Sequence, residues 1–568
     1  MKNSPYTISE LHTAAANHHR AGRLKQAESI YRQILREDPE NAGAHHLLGL
    51  LAHQSGDNAA AVLSIEKAVT VDPQNALYHF NLGVVLGAEG DAGRAVESYR
   101  RALDLNPNFG DAYNNLGLLL EKQGKMADAV ECFEACTRLN PAHAEAYVNL
   151  GKILLDQAIL DEAHACFRRA LELKPTLAEA HFGIGRVLED REAWEQAADS
   201  YREALVLKPD FREAHNNLGT VLLAQGRYAE AQKAFLRLLE MTRGLGCARP
   251  QDLLPGKSAG QGKGPAIVRT TRFALLDRAE QIEYLIGKGT LEPSFAEVAA
   301  GCRSLAAGLK KEGSLDKRVA LSAEQVERIG GFYDRIIHYA DGPACPSGAV
   351  NGALDFHAIE ESFLADRAPV VCLDDFLSRE ALEGLRKFCL ASTIYFGADP
   401  AGYVTSYLPD GFSCGLLYQI AAELKERLPR VVGPHFLSNM WAYRYDARAK
   451  GVDAHTDYAA VSFNFWITPD AANLNPGRGG LVVYKKEEPL DWDWMELNRR
   501  KNDPDIRRRI GDFLASAEAV TIPYRENRAI LFASKLFHKS DDLHFAEGFE
   551  NRRINITMLF GRWGAMRD

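Results

Sequence analysis

The sequence predicts a multidomain protein in which an all-α superhelix of stacked repeats is followed by a helical bridge and a β-rich C-terminal domain of the barrel or double-sheet type. Three observations carry this. Prolines recur at 39, 73, 107, 141, 175 and 209, a spacing of 34 each time. Residues 243–266 hold six glycines and three prolines, a composition that cannot hold a packed element and reads as a tether. After residue 365 short apolar runs rich in valine, isoleucine and aromatic residues appear between turn residues, as strands do. The chain as a whole, 568 residues with 46% hydrophobic and 25% charged residues, has an ordinary globular composition. Its net charge of −9 gathers neither nucleic acid nor anionic lipid, so neither nucleic acid nor membrane is an expected partner. No apolar run approaches the ~20 residues that cross a bilayer, and the first residues lack the apolar core of a secretory signal, so a cytoplasmic address is expected. The nine cysteines are odd in number and include no Cys-x-x-Cys pair, and they read as reduced thiols, mostly buried.

In the first region other columns keep the proline period. Gly49, Gly83, Gly117, Gly151, Gly185 and Gly219 recur, as do Ala27, Ala61, Ala95, Ala129, Ala163, Ala197 and Ala231. Four residues after each alanine stands Tyr31, Ile65, Tyr99, Phe133, Phe167, Tyr201 or Phe235. The pattern is that of two antiparallel helices per unit. Glycine and alanine allow the helices close approach, the large residue is expected to pack onto the next unit, and the proline ends the second helix. Cys132 and Cys136 fall at small packing positions of this pattern and read as core.

These columns resemble the tetratricopeptide repeat, with seven copies over 8–241. The resemblance implies a superhelix whose first helices line a concave groove, with the residue before each Leu-Gly pair pointing into it. Here those residues are Asn81, Asn115, Asn149 and Asn217, while Leu47 and Gly183 break the ladder. Asparagine offers donor and acceptor together to an extended peptide backbone, so a peptide or protein partner is expected; the alternative is a row of solvated polar residues.

A flexible linker is expected over 242–268, and within it Gly256-Lys257-Ser258 lacks the preceding strand and glycine of a phosphate-binding loop. A helical bridge with a second linker is expected over 269–353. Its three helices follow Leu275 to Leu285, Phe295 to Leu309, and Val326, Ile329, Phe332, Ile336 and Ile337, with Ser322 and Gln325 as a capping box before the last. Nothing catalytic is expected there.

In the C-terminal domain, 354–568, strands are expected at 369–374, 437–445, 460–468, 480–484, 519–524, 528–533 and 554–560, with amphipathic helices near 379–390 and 414–427. At the mouth of one strand stands Gly451-Val-Asp-Ala-His455-Thr456-Asp457. On an extended chain His455 and Asp457 project to one side and can grip one ion. The triplet gains meaning from its context, for His538 follows 81 residues after Asp457 and Arg553 another fifteen after that. Two histidines and a carboxylate on one face leave three positions open on iron(II), and a buried arginine can clamp the far carboxylate of a dicarboxylate in two parallel hydrogen bonds. His544 competes with His538. His538 is preferred because it directly follows the run ILFASKLF, whereas His544 lies deeper in a polar loop.

From here the resemblance is to the 2-oxoglutarate- and iron(II)-dependent oxygenases, closest to repeat proteins ending in a prolyl-hydroxylase-like domain. It implies a double-stranded β-helix (jelly roll), with Fe(II) held by His455, Asp457 and His538 as the catalytic centre, and 2-oxoglutarate and O2 as cosubstrates. Arg553 in Arg553-Ile554-Asn555 matches the family's Arg-x-Ser clamp, with Asn555 in place of serine, and Tyr445 matches a tyrosine near the pocket. The implied activity is hydroxylation of a peptide or protein recruited by the repeats. The alternative is an adaptor whose oxygenase-like domain has lost activity. An insert at 490–513 carrying Trp492 and Trp494 reads either as a lid or as an ordinary solvated helix.

Overall fold

A computed structural model describes residues 7–244, 269–309, 311–312, 315–329, 335–447, 449–487, 489, 492 and 503–562. The chain divides into two compact units, Met1–Pro209 and Asp210–Asp568. Among the described residues no helix is long and apolar enough to cross a membrane.

The first unit is six helical hairpins: α1 (Ile8–Arg20) with α2 (Leu24–Glu37), α3 (Ala42–Gln54) with α4 (Asn58–Val71), α5 (Ala76–Glu89) with α6 (Ala92–Leu105), α7 (Gly110–Lys122) with α8 (Met126–Leu139), α9 (Ala144–Asp156) with α10 (Leu160–Leu173), and α11 (Ala178–Asp190) with α12 (Trp194–Leu207). Each second helix stops two residues before its proline, because that ring drives the preceding residue out of the α region. Side-chain caps open several helices, as where Asp57 accepts from the Ala60 amide at 3.0 Å.

From the second repeat on, the large residue seats on the glycine of its own hairpin as well as packing toward the next unit, as the sequence reading expects. A Cβ at Gly83 would lie 2.7 Å from the Tyr99 ring, and one at Gly117 2.7 Å from Phe133. The hairpin crossing therefore needs a residue without a side chain there. Phe167 does both jobs, meeting Gly151 in its own repeat and Gly183 in the following one, where a Cβ would come within 2.4 Å. Cys132 and Cys136 are buried in this packing, which pushes both thiols up to about 11.

The second unit opens with a seventh hairpin, α13 (Arg212–Ala224) and α14 (Tyr228–Arg243). The flexible linker expected over 242–268, with its motif Gly256-Lys257-Ser258, lies outside the described residues from 245 to 268. The bridge region holds β1 (Arg269–Thr270), α15 (Arg272–Gly287), α16 (Ala296–Gly308), β2 (Lys311–Glu312), β3 (Leu315–Asp316), β4 (Val319–Ala320) and α17 (Ala323–Arg328). The capping box forms, with the Gln325 amide donating to Ser322 Oγ at 3.2 Å. The third helix is shorter than expected. It ends at Arg328, and Ile336 and Ile337 are buried in irregular backbone whose Ile337 and His338 amides donate to Thr393 Oγ1 at 2.8 and 3.0 Å. Apolar spacing reported their burial, and a side-chain acceptor replaced the helical one. Phe332 lies outside the described residues.

The remainder is α18 (Phe356–Ala365), β5 (Val370–Leu373), α19 (Arg379–Ala391), β6 (Gly397–Asp399), β7 (Tyr403–Tyr407), α20 (Gly415–Arg427), β8 (Leu437–Tyr445), β9 (Val461–Trp466), β10 (Leu481–Glu487), a helix Pro504–Leu514, β11 (Ala519–Ile522), β12 (Ala529–Ala533), β13 (Leu536–Ser540) and β14 (Ile554–Phe560). Seven strands form one antiparallel sheet in the order β5-β12-β9-β14-β8-β7-β6, and three form another, β11-β10-β13. One hydrophobic cluster takes Tyr445, Trp466 and Phe532 from the first sheet and Leu481, Val483 and Leu536 from the second. The run ILFASKLF is two strands, not one. Ala533 pairs with Val461 in the large sheet and Leu536 with Glu487 in the small one, so the chain changes sheets at Ser534-Lys535.

Candidate metal centre

The change of sheet sets up the site. His538 lies mid-strand in β13, not after a strand's end, and exchanges both backbone hydrogen bonds with His455, at 3.0 and 2.9 Å. Directly opposed residues of an antiparallel pair face the same side, and the two imidazole centroids stand 4.3 Å apart. The segment reaches β13 through Gly451, whose φ of +75° suits glycine and where a Cβ would fall 2.4 Å from Ser540 Cβ. The Asp457 amide then donates to Ser534 O at 3.1 Å, which turns the carboxylate back toward the rings.

The hydrogen bonds orient every donor. His455 Nδ1 donates to Asp453 O at 2.8 Å and His538 Nδ1 to Leu536 O at 3.2 Å; a carbonyl only accepts, so both rings carry their proton on Nδ1 and turn the Nε2 lone pair inward. His538 Nε2 lies 3.5 Å from Asp457 Oδ2, and His455 Nε2 3.9 Å from Asp457 Oδ1. The ligating atoms of the three residues all lie within 4.8 Å of one another. Ser462 donates to Asp457 Oδ2 at 2.7 Å and is bonded to Ser534 Oγ at 2.8 Å. Two neutral imidazole nitrogens and a carboxylate oxygen form a donor set suited to a first-row divalent cation. His544 stands apart, exposed on the surface.

His455 and His538 line a narrow cleft together with Trp441, Tyr443, Tyr445, Asn464, Arg553 and Asn555, among others. Arg553 is 1% exposed. Its Nη2 donates to Gly480 O at 3.2 Å, while Nε and Nη1 have no partner. Burial lowers its pKa, opposed by the nearby phenols of Tyr445 and Tyr524. A buried guanidinium with two unsatisfied donors is a costly arrangement unless an anion completes it. The Tyr445 ring lies 4.8 Å from the guanidinium carbon, and burial pushes its phenol up. Asn555 Nδ2 donates to Thr557 Oγ1 at 3.3 Å, and its Oδ1 is buried without a partner.

Sequence reasoning missed the cleft's aromatic wall and the ion cluster behind it. Trp441, Tyr443 and Tyr445 alternate along β8, a period-two signal that was present in the sequence. Nothing in the sequence pairs Arg444 of β8 and Arg552 with Asp277 of α15, yet all three are buried and joined. In the insert, Trp492 packs on Phe513 at 5.0 Å and on Phe537 at 6.3 Å, against the helix Pro504–Leu514; Trp494 lies outside the described residues.

In the repeats, the four ladder asparagines are half-buried. Asn81 bonds His46 Nε2 at 2.7 Å and Asn149 donates to Asn114 Oδ1 at 3.1 Å, in each case reaching the preceding repeat. Burial lowers His46 to about 4, so its neutral ring accepts from the Asn81 amide. Asn115 and Asn217 accept from their neighbours Asn114 and Asn216 at 3.3 and 3.4 Å.

The N-terminal ~245 residues are tetratricopeptide repeats: residues 18–82, 114–178, 151–210 and 182–245 match tetratricopeptide-repeat families, and 88–124 matches a TPR repeat family. Such repeats indicate a protein-interaction module. Among solved structures, MamA is 27% identical over 29% of this chain and 96% of its own, with a TM-score of 0.27. PilF of Pseudomonas aeruginosa is 22% identical over 36% and 92%, with a TM-score of 0.34. YrrB, described as a TPR protein with an unusual peptide-binding site, is 24% identical over 32% and 95%, with a TM-score of 0.29. No curated protein matches the chain.

Proposed function

We propose that the second unit is an iron(II)- and 2-oxoglutarate-dependent oxygenase of the double-stranded β-helix type, hydroxylating a peptide or protein recruited by the repeats. The observation that carries this reading is that His455 and His538, grouped with Asp457 as three ligands, line one cleft with a buried Arg553 that has two unpartnered nitrogens. In this reading His455, Asp457 and His538 hold iron(II), and Arg553 receives the far carboxylate of 2-oxoglutarate. Bound together, iron and 2-oxoglutarate supply the power to activate O2 for hydroxylation of a C–H bond, with succinate and carbon dioxide as coproducts.

The chain's own residues do the positioning. The carbonyls of Asp453 and Leu536 hold the two imidazoles in the ligating tautomer, and Ser462 fixes the rotation of the Asp457 carboxylate. Arg553, poorly satisfied by protein, gains from a carboxylate two charge-assisted hydrogen bonds in a site shut off from water. The Tyr445 phenol, kept protonated by burial, is a donor beside it. The carboxylate of Asp457 remains a ligand, as a hydroxylase requires. The ladder of Asn81, Asn115, Asn149 and Asn217 is the proposed peptide contact, although part of its capacity is used between repeats.

The test is an oxygen-free titration of the full chain with iron(II) and then 2-oxoglutarate, watching for the visible charge-transfer band of a chelated complex. The band is expected in the wild-type protein and absent from His455→Ala, which loses the metal, and from Arg553→Ala, which loses the cosubstrate. No band in the wild-type protein would sink the oxygenase reading and leave a repeat adaptor.

A further inference from the structure

We infer that Asp277, on the bridge helix α15, is a positioning residue for the carboxylate clamp: by tying Arg444 and Arg552 together behind the sheet, it sets where Tyr445 and Arg553 stand in the cleft. The inference rests on the oxygenase reading of that cleft.

The geometry follows from the pleat. Successive side chains of an extended chain point to opposite faces, so the pairs Arg444-Tyr445 and Arg552-Arg553 each send one residue into the cleft and one away from it. Tyr445 and Arg553 line the cleft. Arg444 and Arg552 meet instead on a single carboxylate. Arg444 Nε donates to Asp277 Oδ1 at 2.8 Å and its Nη2 to Oδ2, while Arg552 Nη1 also donates to Oδ1. All three residues are buried. The Arg444 guanidinium is held between the rings of Tyr395 and Phe549, at 4.1 and 4.7 Å, and Arg552 Nη2 donates to Glu280 at 2.6 Å. The two backbones are joined at the same level, where the Tyr445 amide donates to Arg553 O at 3.0 Å.

By contrast, the tip of Arg553 is held by one hydrogen bond, to Gly480 O, with the rings of Tyr445 and Trp466 at 4.8 and 5.4 Å. Its aim is therefore set mainly by its backbone. That backbone is pinned on the far side by the residue before it, through a carboxylate 275 positions away in sequence. Asp277 also supplies the counter-charge that two buried guanidiniums need in order to stay in place. Burial alone would raise the Asp277 carboxyl, but Arg444 and Arg552 overcome this and hold it below the usual range, so it remains an anion at neutral pH.

The experiment is calorimetric titration of the full chain, loaded with manganese(II), using two ligands. 2-Oxoglutarate carries the far carboxylate; 2-oxopentanoate keeps the chelating end and has a methyl group in its place. Asp277→Asn is expected to weaken 2-oxoglutarate by about tenfold, as loss of an outer-shell partner does, and to leave 2-oxopentanoate and manganese(II) affinities unchanged. Equal weakening of both ligands, or none, would overturn the inference, since general loosening of the fold cannot select the far carboxylate. If Asp277→Asn does not fold, Asp277→Glu keeps the charge and displaces the carboxylate by one methylene. It is expected to lower the preference for 2-oxoglutarate several-fold, and a wild-type preference in that variant overturns the proposal. A wild-type protein with no preference between the two ligands removes the clamp itself, and that failure of the oxygenase reading shows before any variant is made.

Discussion

The repeat array and the sheet-bearing unit solve the same problem, burial of apolar surface, at opposite ranges. In the array a glycine meets a ring sixteen positions away, as Gly83 meets Tyr99, and the same contact is made again in the next hairpin. In the second unit the site joins His455 to His538, and the support behind it joins Asp277 to Arg552, 275 positions apart, each once. Redundancy makes the array tolerant of a single change. A site built once has no second copy to fall back on.

The sharpest break of that comparison lies at the ligands. Asp457→Ala is expected to reduce divalent-metal binding beyond detection in an oxygen-free titration, whereas Ser462→Ala, which removes only the hydrogen bond to that carboxylate, is expected to cost about tenfold. Next in size are two packing losses of similar energy and different reach. Asp277→Asn leaves Arg444 and Arg552 buried without full compensation and is expected to destabilise the second unit by about 3–5 kcal/mol, read as a lower urea midpoint of the β-rich transition. Phe133→Ala is expected to cost about 3–5 kcal/mol in the array alone, leaving the second unit's transition where it was.

Acid acts through single residues in each region. His46 has its pKa lowered to about 4 in the fold, against about 6.5 unfolded, so its contribution is complete above pH 6.5 and is lost as pH falls from there toward 4. Asp277 has its pKa lowered from an unfolded value of about 3.9, so its contribution is complete above that value and is lost only as pH falls through the lower folded one. Urea midpoints of the array followed from pH 7 to 4 are expected to fall below pH 6.5, and His46→Phe is expected to flatten that fall. The smallest effect is at Asn149, where substitution by alanine removes one inter-repeat hydrogen bond and is expected to cost about 1 kcal/mol in the array's melting.

How much was legible in the sequence follows the same division. The repeats were read nearly to the residue because their contacts are local, so periodicity records them directly. The ring column is where that reading is incomplete: the ring packs toward the next unit, as expected, and also seats on the glycine of its own hairpin, which the same period permits. In the second unit β8 and β14 fall at their expected limits, since long alternating or apolar runs define a strand without knowledge of its partners. The strands β6 and β7, three and five residues long, gave too little pattern to find, and β13 was not expected as a separate strand, although the strand expected at 528–533 ends where β12 does, at Ala533.

Residue types and spacing alone determined the seven hairpins and the identity of His455, Asp457, His538 and Arg553 as the residues to examine, because helical period and ligand chemistry are properties of short segments. Only the tertiary structure decided that His455 and His538 are cross-strand partners, that His544 is left outside, that Arg553 keeps two unpartnered nitrogens, and that Asp277 of the bridge stands behind the clamp. The physical reason is that strand register and the burial of charge are set by pairings between segments distant in sequence, and no local pattern encodes which distant residue will arrive.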